Sequence, residues 1–230
     1  METLETLEIQ IVSIVLQKIF GANMSIEGNI IAGAGELFHK YGIRSVSMDD
    51  IARHLSISKK TIYQYYKDKD EIVTLALKAH MDHEKLEYGE ACKESANAIE
   101  ELSRVSKCMR SDFKDMNPSL LFDMQKYHPN AWKLWMDFKN EYIKNHVVEN
   151  LKRGIEEENF RKEIDPEAMA IFRVEQVQMA FDETIFPPDK FRLKELQLLL
   201  FDHFVHGIVT EKGKVLYEQY LKKEEINKIN

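Results

Sequence analysis

Cysteine, proline and glycine are all sparse in this chain: two, five and nine among 230 residues. Cys92 and Cys108 make no disulfide framework, and no C-x-x-C or similar zinc spacing occurs. They read as free, packed thiols of a reducing compartment. So few prolines and glycines exclude a turn-rich all-β fold. Long apolar runs are missing too. The stretch Ile9–Phe20 is too short to span a bilayer and is interrupted by Gln10, Ser13, Gln17 and Lys18. Glu2, Glu5 and Glu8 stand where a secretion signal would be basic. The expectation is a cytoplasmic chain with no membrane partner. There is no glycine-rich phosphate loop, no H-E-x-x-H and no nucleophile elbow, so the chain reads as a non-enzyme without cofactor or metal.

What is present is helical period. Apolar residues make up 44% and charged residues 31%, enough for a core and a solvated surface. Ile30, Ala34, Leu37, Phe38 and Tyr41 form the stripe of one helix, and Gly42 ends it. Ser47-Met48-Asp49-Asp50 has the form of a capping box, opening a short helix that buries Ile51, Ala52 and Leu55. After the turn Ser56-Ile57-Ser58, Ser58 caps a helix over Lys59–Tyr65. Asp68-Lys69-Asp70-Glu71 is a second capping box, followed by a long helix bearing Ile72, Leu75, Ala76 and Ala79. Downstream, Asn117-Pro118, His128-Pro129 and Asp165-Pro166 mark helix starts. Pro187-Pro188 separates two apolar helices, near Ala168 to Phe186 and Leu193 to Ile208. The fold class is all-α. Residues 24–70 are expected to form a three-helix head and residues 71–230 a helical body. For residues 1–23, Leu4, Leu7, Ile11 and Ile14 predict an amphipathic helix; translation beginning at Met24 is the alternative.

The net charge of −7 conceals an asymmetry. Residues 1–23 carry one lysine against three glutamates, residues 24–78 carry eight basic and seven acidic residues, and the remainder carries 23 basic and 29 acidic. Lys59, Lys60, Lys67 and Lys69 cluster with only Asp68 among them. Two short helices joined by a tight turn, the second rich in long polar side chains, make a helix-turn-helix. Its hydroxyls and lysines are suited to a polyanion, and an acidic body would turn the head toward the duplex.

The segment GELFHKYGIRSVSMDDIARHLSISKKTIYQYYKDKDEIV resembles the N-terminal domain of the TetR family of bacterial transcriptional regulators. Ala34, Leu37-Phe38, Gly42, Ser47, Ile51-Ala52, Ile57-Ser58, Thr61-Ile62-Tyr63 and Lys69 carry the resemblance, and Gly207 to Gly213 adds a weaker match to the end of the family's ninth helix. The resemblance implies a homodimeric, ligand-responsive repressor that binds double-stranded operator DNA and is released by a small-molecule effector. By position, Ser58, Lys59, Lys60, Thr61 and Gln64 approach bases or phosphates. Tyr63, Tyr65 and Lys69 clamp phosphates, and Ser47 caps the second helix and touches a phosphate. Gln64 and Lys60 are the candidates for base readout.

Three features depart from the family pattern. Ser56 stands where the turn usually has glycine. Gly28, Gly33 and Gly35 weaken the first helix. Ser25, Glu27 and Asn29 occupy a region where Arg or Lys is common. Ser56 and the absent Arg or Lys motivate an alternative: a helical small-molecule-binding or adaptor protein with a degenerate head. A second alternative, a metalloenzyme, would use His80 with His83 or His203 with His206, but no third ligand is evident. A Met-rich, aromatic middle (Met109, Phe113, Met116, Met124, Trp132, Trp135) suits either a core or an adaptable apolar pocket. Phe113, Trp132 and Trp135 are the candidate walls for an apolar or aromatic effector. The helix near Leu193 to Ile208 is apolar nearly all round, and the resemblance implies that it and the helix before Pro187-Pro188 form the dimer interface.

Overall fold

The structure, a computed structural model, describes residues 25–226; the expectation for residues 1–23 lies outside them. Among the described residues there is no strand, only an isolated bridge between Phe160 and Val209. Three helices form the head: α1 (Ile26–Tyr41), α2 (Met48–His54) and α3 (Lys59–Tyr65). Ser25 caps α1 by accepting from the Gly28 N–H, and Gly42 leaves it with φ 79°. The capping box opening α2 is complete, with Ser47 and Asp50 each bonded to the other's backbone N–H. Ser58 caps α3 through the Thr61 N–H. Ile30, Ala34, Ile51 and Ile62 are fully buried between the three helices. Truncating Ile62 to alanine would cost about 2–5 kcal/mol.

Gly33 explains one of the three unusual glycines of α1. A Cβ there would come within 2.7 Å of the Leu55 side chain, so the missing side chain lets α1 and the end of α2 approach.

The body begins with α4 (Lys69–Glu94), whose first turn belongs to the head and whose remainder crosses the body. Next come α5 (Ala98–Asp112), α6 (Leu120–Tyr127), α7 (Pro129–Asp137) and α8 (Lys144–Glu156). A π-helical turn, Phe138–Ile143, joins α7 to α8 without a break. Then follow α9 (Pro166–Met179), α10 (Leu193–Ile208) and α11 (Glu211–Ile226). One apolar cluster runs from the head core through Ile72, Leu77 and Met81 of α4 to Leu121, Met124 and Phe138. A second holds the far end together around Ile99, Leu151, Phe160, Phe204 and Tyr217.

Two of the expected proline starts are met. Pro129 and Pro166 occupy first-turn positions, and Asp165 caps α9 through the Ala168 N–H. Asn117-Pro118 does not open its helix. The Asn117 side chain instead accepts from the Ser119 N–H, and α6 begins at Leu120. The helix expected to reach Phe186 stops at Met179, and Asp182 then organises a turn by accepting from the Thr184 N–H. The segment Gly207–Gly213 spans the break between α10 and α11.

Candidate nucleic-acid interface and ligand cavity

The turn between α2 and α3 places Ser56 at φ 55°, the left-handed conformation that glycine adopts without strain. The serine accepts that strain, and the turn closes through Ile57 N–H to the Ala52 carbonyl at 3.0 Å. With Ile62 inward, the opposite side of α3 is exposed and carries Lys59, Lys60, Tyr63 and Gln64; Tyr65 is exposed at its end. Tyr66 turns inward, and its hydroxyl donates to the Glu27 carbonyl at 2.9 Å.

Several of the proposed contact residues are engaged within the head. Lys59 bonds Asp49 at 2.9 Å, a pairing that raises its pKa. The Ser58 and Thr61 hydroxyls share a 2.8 Å hydrogen bond. The Ser47 hydroxyl donates to Asp50 at 2.6 Å, which together with the backbone bond lowers the carboxyl pKa. Lys69 has a structural bond that sequence reasoning missed. Its ammonium donates to the Ile43 carbonyl at 2.6 Å, and burial lowers its pKa.

Between α4, α5, α8 and α9 lies a cavity of about 180 Å³. Phe113 and Trp135 line it. Trp132 does not: it packs, half-buried, against the cluster shared by head and body. The π-helical turn contributes Tyr142 and Ile143 to the wall, and such turns are frequent at functional sites.

The walls are mostly apolar, with polar groups the sequence reading did not select: His80, Glu84, Tyr88, Asp112 and Arg173. His80 pairs with Glu84 at 3.3 Å, one helical turn away on α4. Burial alone would lower the histidine pKa, but the Glu84 carboxylate outweighs it and lifts the value to about 9. Asp112 is pushed up to about 7 by burial and by Glu84, while its bond to Tyr88 opposes the rise. Arg173 is pulled down to about 10 by burial. His83 pairs with Glu87 on the same helix. Among the described residues, no cluster of three or more His, Cys, Asp or Glu has metal-binding geometry.

One stretch of chain belongs to both sites. Asp112, Phe113, Met116, Leu120 and Leu121 line the cavity. Within the same stretch, the Asn117 N–H donates to the His39 carbonyl at 2.7 Å, and His39 Nε2 meets the Lys114 carbonyl at 2.9 Å. Gly42 also faces this stretch; a Cβ on it would come within 2.7 Å of the Ser119 hydroxyl. Further along, His128 and Asn130 both bond Asp70 at the start of α4.

The helix-turn-helix and the helical fold are matched among known proteins. The family described as bacterial regulatory proteins, tetR family, matches residues 30–76, from α1 into α4. The chain is 24% identical over 186 residues to YvaF, an HTH-type transcriptional regulator of Bacillus subtilis, covering 80% of this chain and 95% of that protein. It is 22% identical over 157 residues to the HTH-type transcriptional repressor KstR2 of Mycobacterium tuberculosis, covering 65% and 76% of the two chains. The solved structure of the ketosteroid transcriptional regulator KstR2 superposes with a TM-score of 0.59 at 20% identity, over 84% of this chain and 100% of that one. A regulator from Saccharomonospora viridis in complex with choline superposes with a TM-score of 0.67 at 18% identity, over 80% and 98%. Head motif, all-helical body and relatives agree: residues 30–76 are a head of the TetR family of bacterial transcriptional regulators, and over most of its length the chain is similar to such regulators.

Proposed function

We propose that this protein is a homodimeric repressor whose operator affinity is set by a small molecule in the body cavity. The observation that carries this reading is the segment from Asp112 to Leu121, which lines the cavity and is hydrogen-bonded to the head. A ligand that displaces this segment acts on His39 at the end of α1 and on Gly42 beyond it. It thereby biases the orientation of α3, provided that it binds one orientation more tightly than the other.

In this reading α3 enters the major groove. Lys60 and Gln64 read base edges, and Lys59, Tyr63 and Tyr65 hold phosphates, with Ser47, Ser58 and Thr61 at the helix starts. Lys69 reaches a phosphate only by leaving the Ile43 carbonyl. The exposed Phe172 and Met179 of α9 and Leu199 of α10 supply apolar surface for a second copy of the chain. A two-fold pair sets its recognition helices about 34 Å apart, one turn of DNA. The protein acts in the cytoplasm and catalyses no reaction. No helix among the described residues is long and apolar enough to cross a membrane.

The test is a gel shift with the full-length protein and the DNA upstream of its own gene. Binding that weakens steeply with salt, and that is lost on Tyr63→Phe combined with Lys69→Ala, supports the reading. No binding at low salt overturns it in favour of a degenerate head.

A further inference from the structure

The likeness to the choline-bound regulator and to KstR2, at 18% and 20% identity, shows the fold alone. The ligand class must therefore come from this chain's own cavity. Arg173 is its unusual member. It sits inside α9 with 6% of its surface accessible. One guanidinium nitrogen donates to Gln176 Oε1 at 3.0 Å and another to the Met109 sulfur at 3.5 Å. The guanidinium also lies 5.0 Å from the Phe201 ring centre and 5.9 Å from that of Phe204. Among the described residues no carboxylate pairs with it, and its titratable neighbour Tyr88 is a phenol whose pKa burial raises, so it stays neutral. A buried cation held by an amide oxygen, a thioether and two ring faces is expensive to keep, because these neighbours only partly replace its hydration.

The other charges of the cavity do not perform that task. Glu84 is engaged by His80. Asp112 is bonded to Tyr88. Glu101 lies 3.5 Å from Arg153. Arg173 is thus the cation left without a counter-ion, and it faces apolar walls. A second donor, the Trp135 indole N–H, is buried at the cavity wall without a hydrogen-bond partner.

We infer that the cavity takes an apolar monocarboxylic acid, its carboxylate paired with Arg173 and its hydrocarbon body lying between Met109, Phe113 and the wall toward Trp135. The fork of the guanidinium matches a carboxylate with two parallel hydrogen bonds. An enclosed cavity of roughly 150 Å³ holds a benzene ring, so 180 Å³ accommodates a ring with a short acidic arm. The inference rests on the reading of this cavity as the effector site.

The experiment uses the full-length protein and three probes with the same body and different heads: phenylbutyrate, phenylbutanol and phenylbutylamine. A straight-chain acid series from hexanoate to dodecanoate, each with its alcohol, covers other lengths. Binding is read from tryptophan fluorescence, because Trp135 lines the cavity, and release of upstream DNA is read by gel shift. The expected result is that at least one acid binds about tenfold or more tightly than its alcohol, with the amine weakest. Arg173→Gln should remove the preference for the acid while leaving alcohol binding within about twofold. The head-group ranking of the unmodified protein decides even if that variant does not fold. An amine that binds best, an alcohol equal to its acid, or a series in which no acid binds would each overturn the inference. Acid-selective binding by a protein that ignores its upstream DNA would instead leave the inference standing and remove the repressor reading.

Discussion

The backbone N–H of Arg44, in the head, donates to the buried carboxylate of Asp123, in the body, at 2.9 Å. Arg44 follows Gly42 and Ile43 in the loop between α1 and α2, and Asp123 lies in the first turn of α6, just after the cavity-lining Leu120 and Leu121. A movement of α6 is therefore applied to the loop from which α2 starts. With the Asn117–His39 bond, it gives the head two backbone attachments to one body segment.

Replacing Asp123 by alanine should remove the carboxylate that accepts from the Arg44 N–H, at a cost of about 1.5–3 kcal/mol. In a protein of this size that lowers the melting temperature by roughly 2–4 °C per kcal/mol. Amide exchange at Arg44 and Asn117 should accelerate more than at Ile62 in the head core. Equal acceleration at all three would mean that the bond stabilises the whole protein without linking its parts.

Much of this architecture is legible in the sequence because it is local. Ser47, Ser58, Asp68 and Asp165 cap the helices that their spacing predicts, and Lys59–Tyr65 has the expected bounds. The misreadings are those in which a distant contact decides. Asn117, expected to cap a helix, instead accepts from the Ser119 N–H in a turn that faces the head. The cavity was legible as a composition and not as a list. Of the three candidate walls Phe113 and Trp135 line the cavity and Trp132 does not, and Arg173, an arginine within the apolar run Ala170-Ile171-Phe172-Arg173-Val174, lines it as well. Periodicity reveals that a helix is buried, but not whether its neighbour is a side chain or a void.

Ser56→Gly should stabilise the protein. Relief of the left-handed conformation is worth roughly 1–2 kcal/mol, offset by roughly 0.4–1 kcal/mol from the greater freedom of glycine in the unfolded chain. A net gain of about 0.5–1 kcal/mol is expected, with DNA affinity unchanged. Thermal melts and DNA titration check both. A loss of stability would show that the Ser56 side chain compensates for its strain.

Asp49→Asn should tighten DNA binding. Lys59 is held 2.9 Å from the Asp49 carboxylate, and a phosphate must compete for it. Removing the carboxylate frees the ammonium and removes a negative charge facing the duplex. Affinity should rise for specific and nonspecific DNA alike, and the logarithmic salt dependence should steepen by about one unit. An unchanged slope would place Lys59 outside the interface.

Gln64→Ala should act on specificity instead. If Gln64 reads a base edge, its loss costs about 1–3 kcal/mol on the operator and leaves nonspecific binding and the salt slope nearly unchanged. Binding of operator and random DNA measured side by side separates this from loss of a phosphate contact, which weakens both equally.

Asp112→Asn should change how stability depends on pH. The carboxyl is raised from 3.8 to about 7 by burial and then by Glu84, with Glu87 adding to the rise while His80 and the bond to Tyr88 oppose it. The folded protein therefore holds a proton that the unfolded chain releases between about pH 4 and 7. The stability this contributes is fully present below about pH 4 and declines as pH rises through 7. His80 acts in the same sense over a higher window, since its value rises from 6.5 to about 9 and its contribution is lost as pH climbs through 9. Asparagine keeps the oxygen that accepts from Tyr88 and cannot ionise beside Glu84. The variant should match the unmodified protein near pH 4, be more stable by a few kcal/mol, at most about 4, at pH 8, and retain the decline near pH 9 that belongs to His80. Urea unfolding at a series of pH values measures this directly. A variant that loses stability equally at every pH would show that the Asp112 charge is accommodated in the cavity and that the side chain acts only as a hydrogen-bond acceptor.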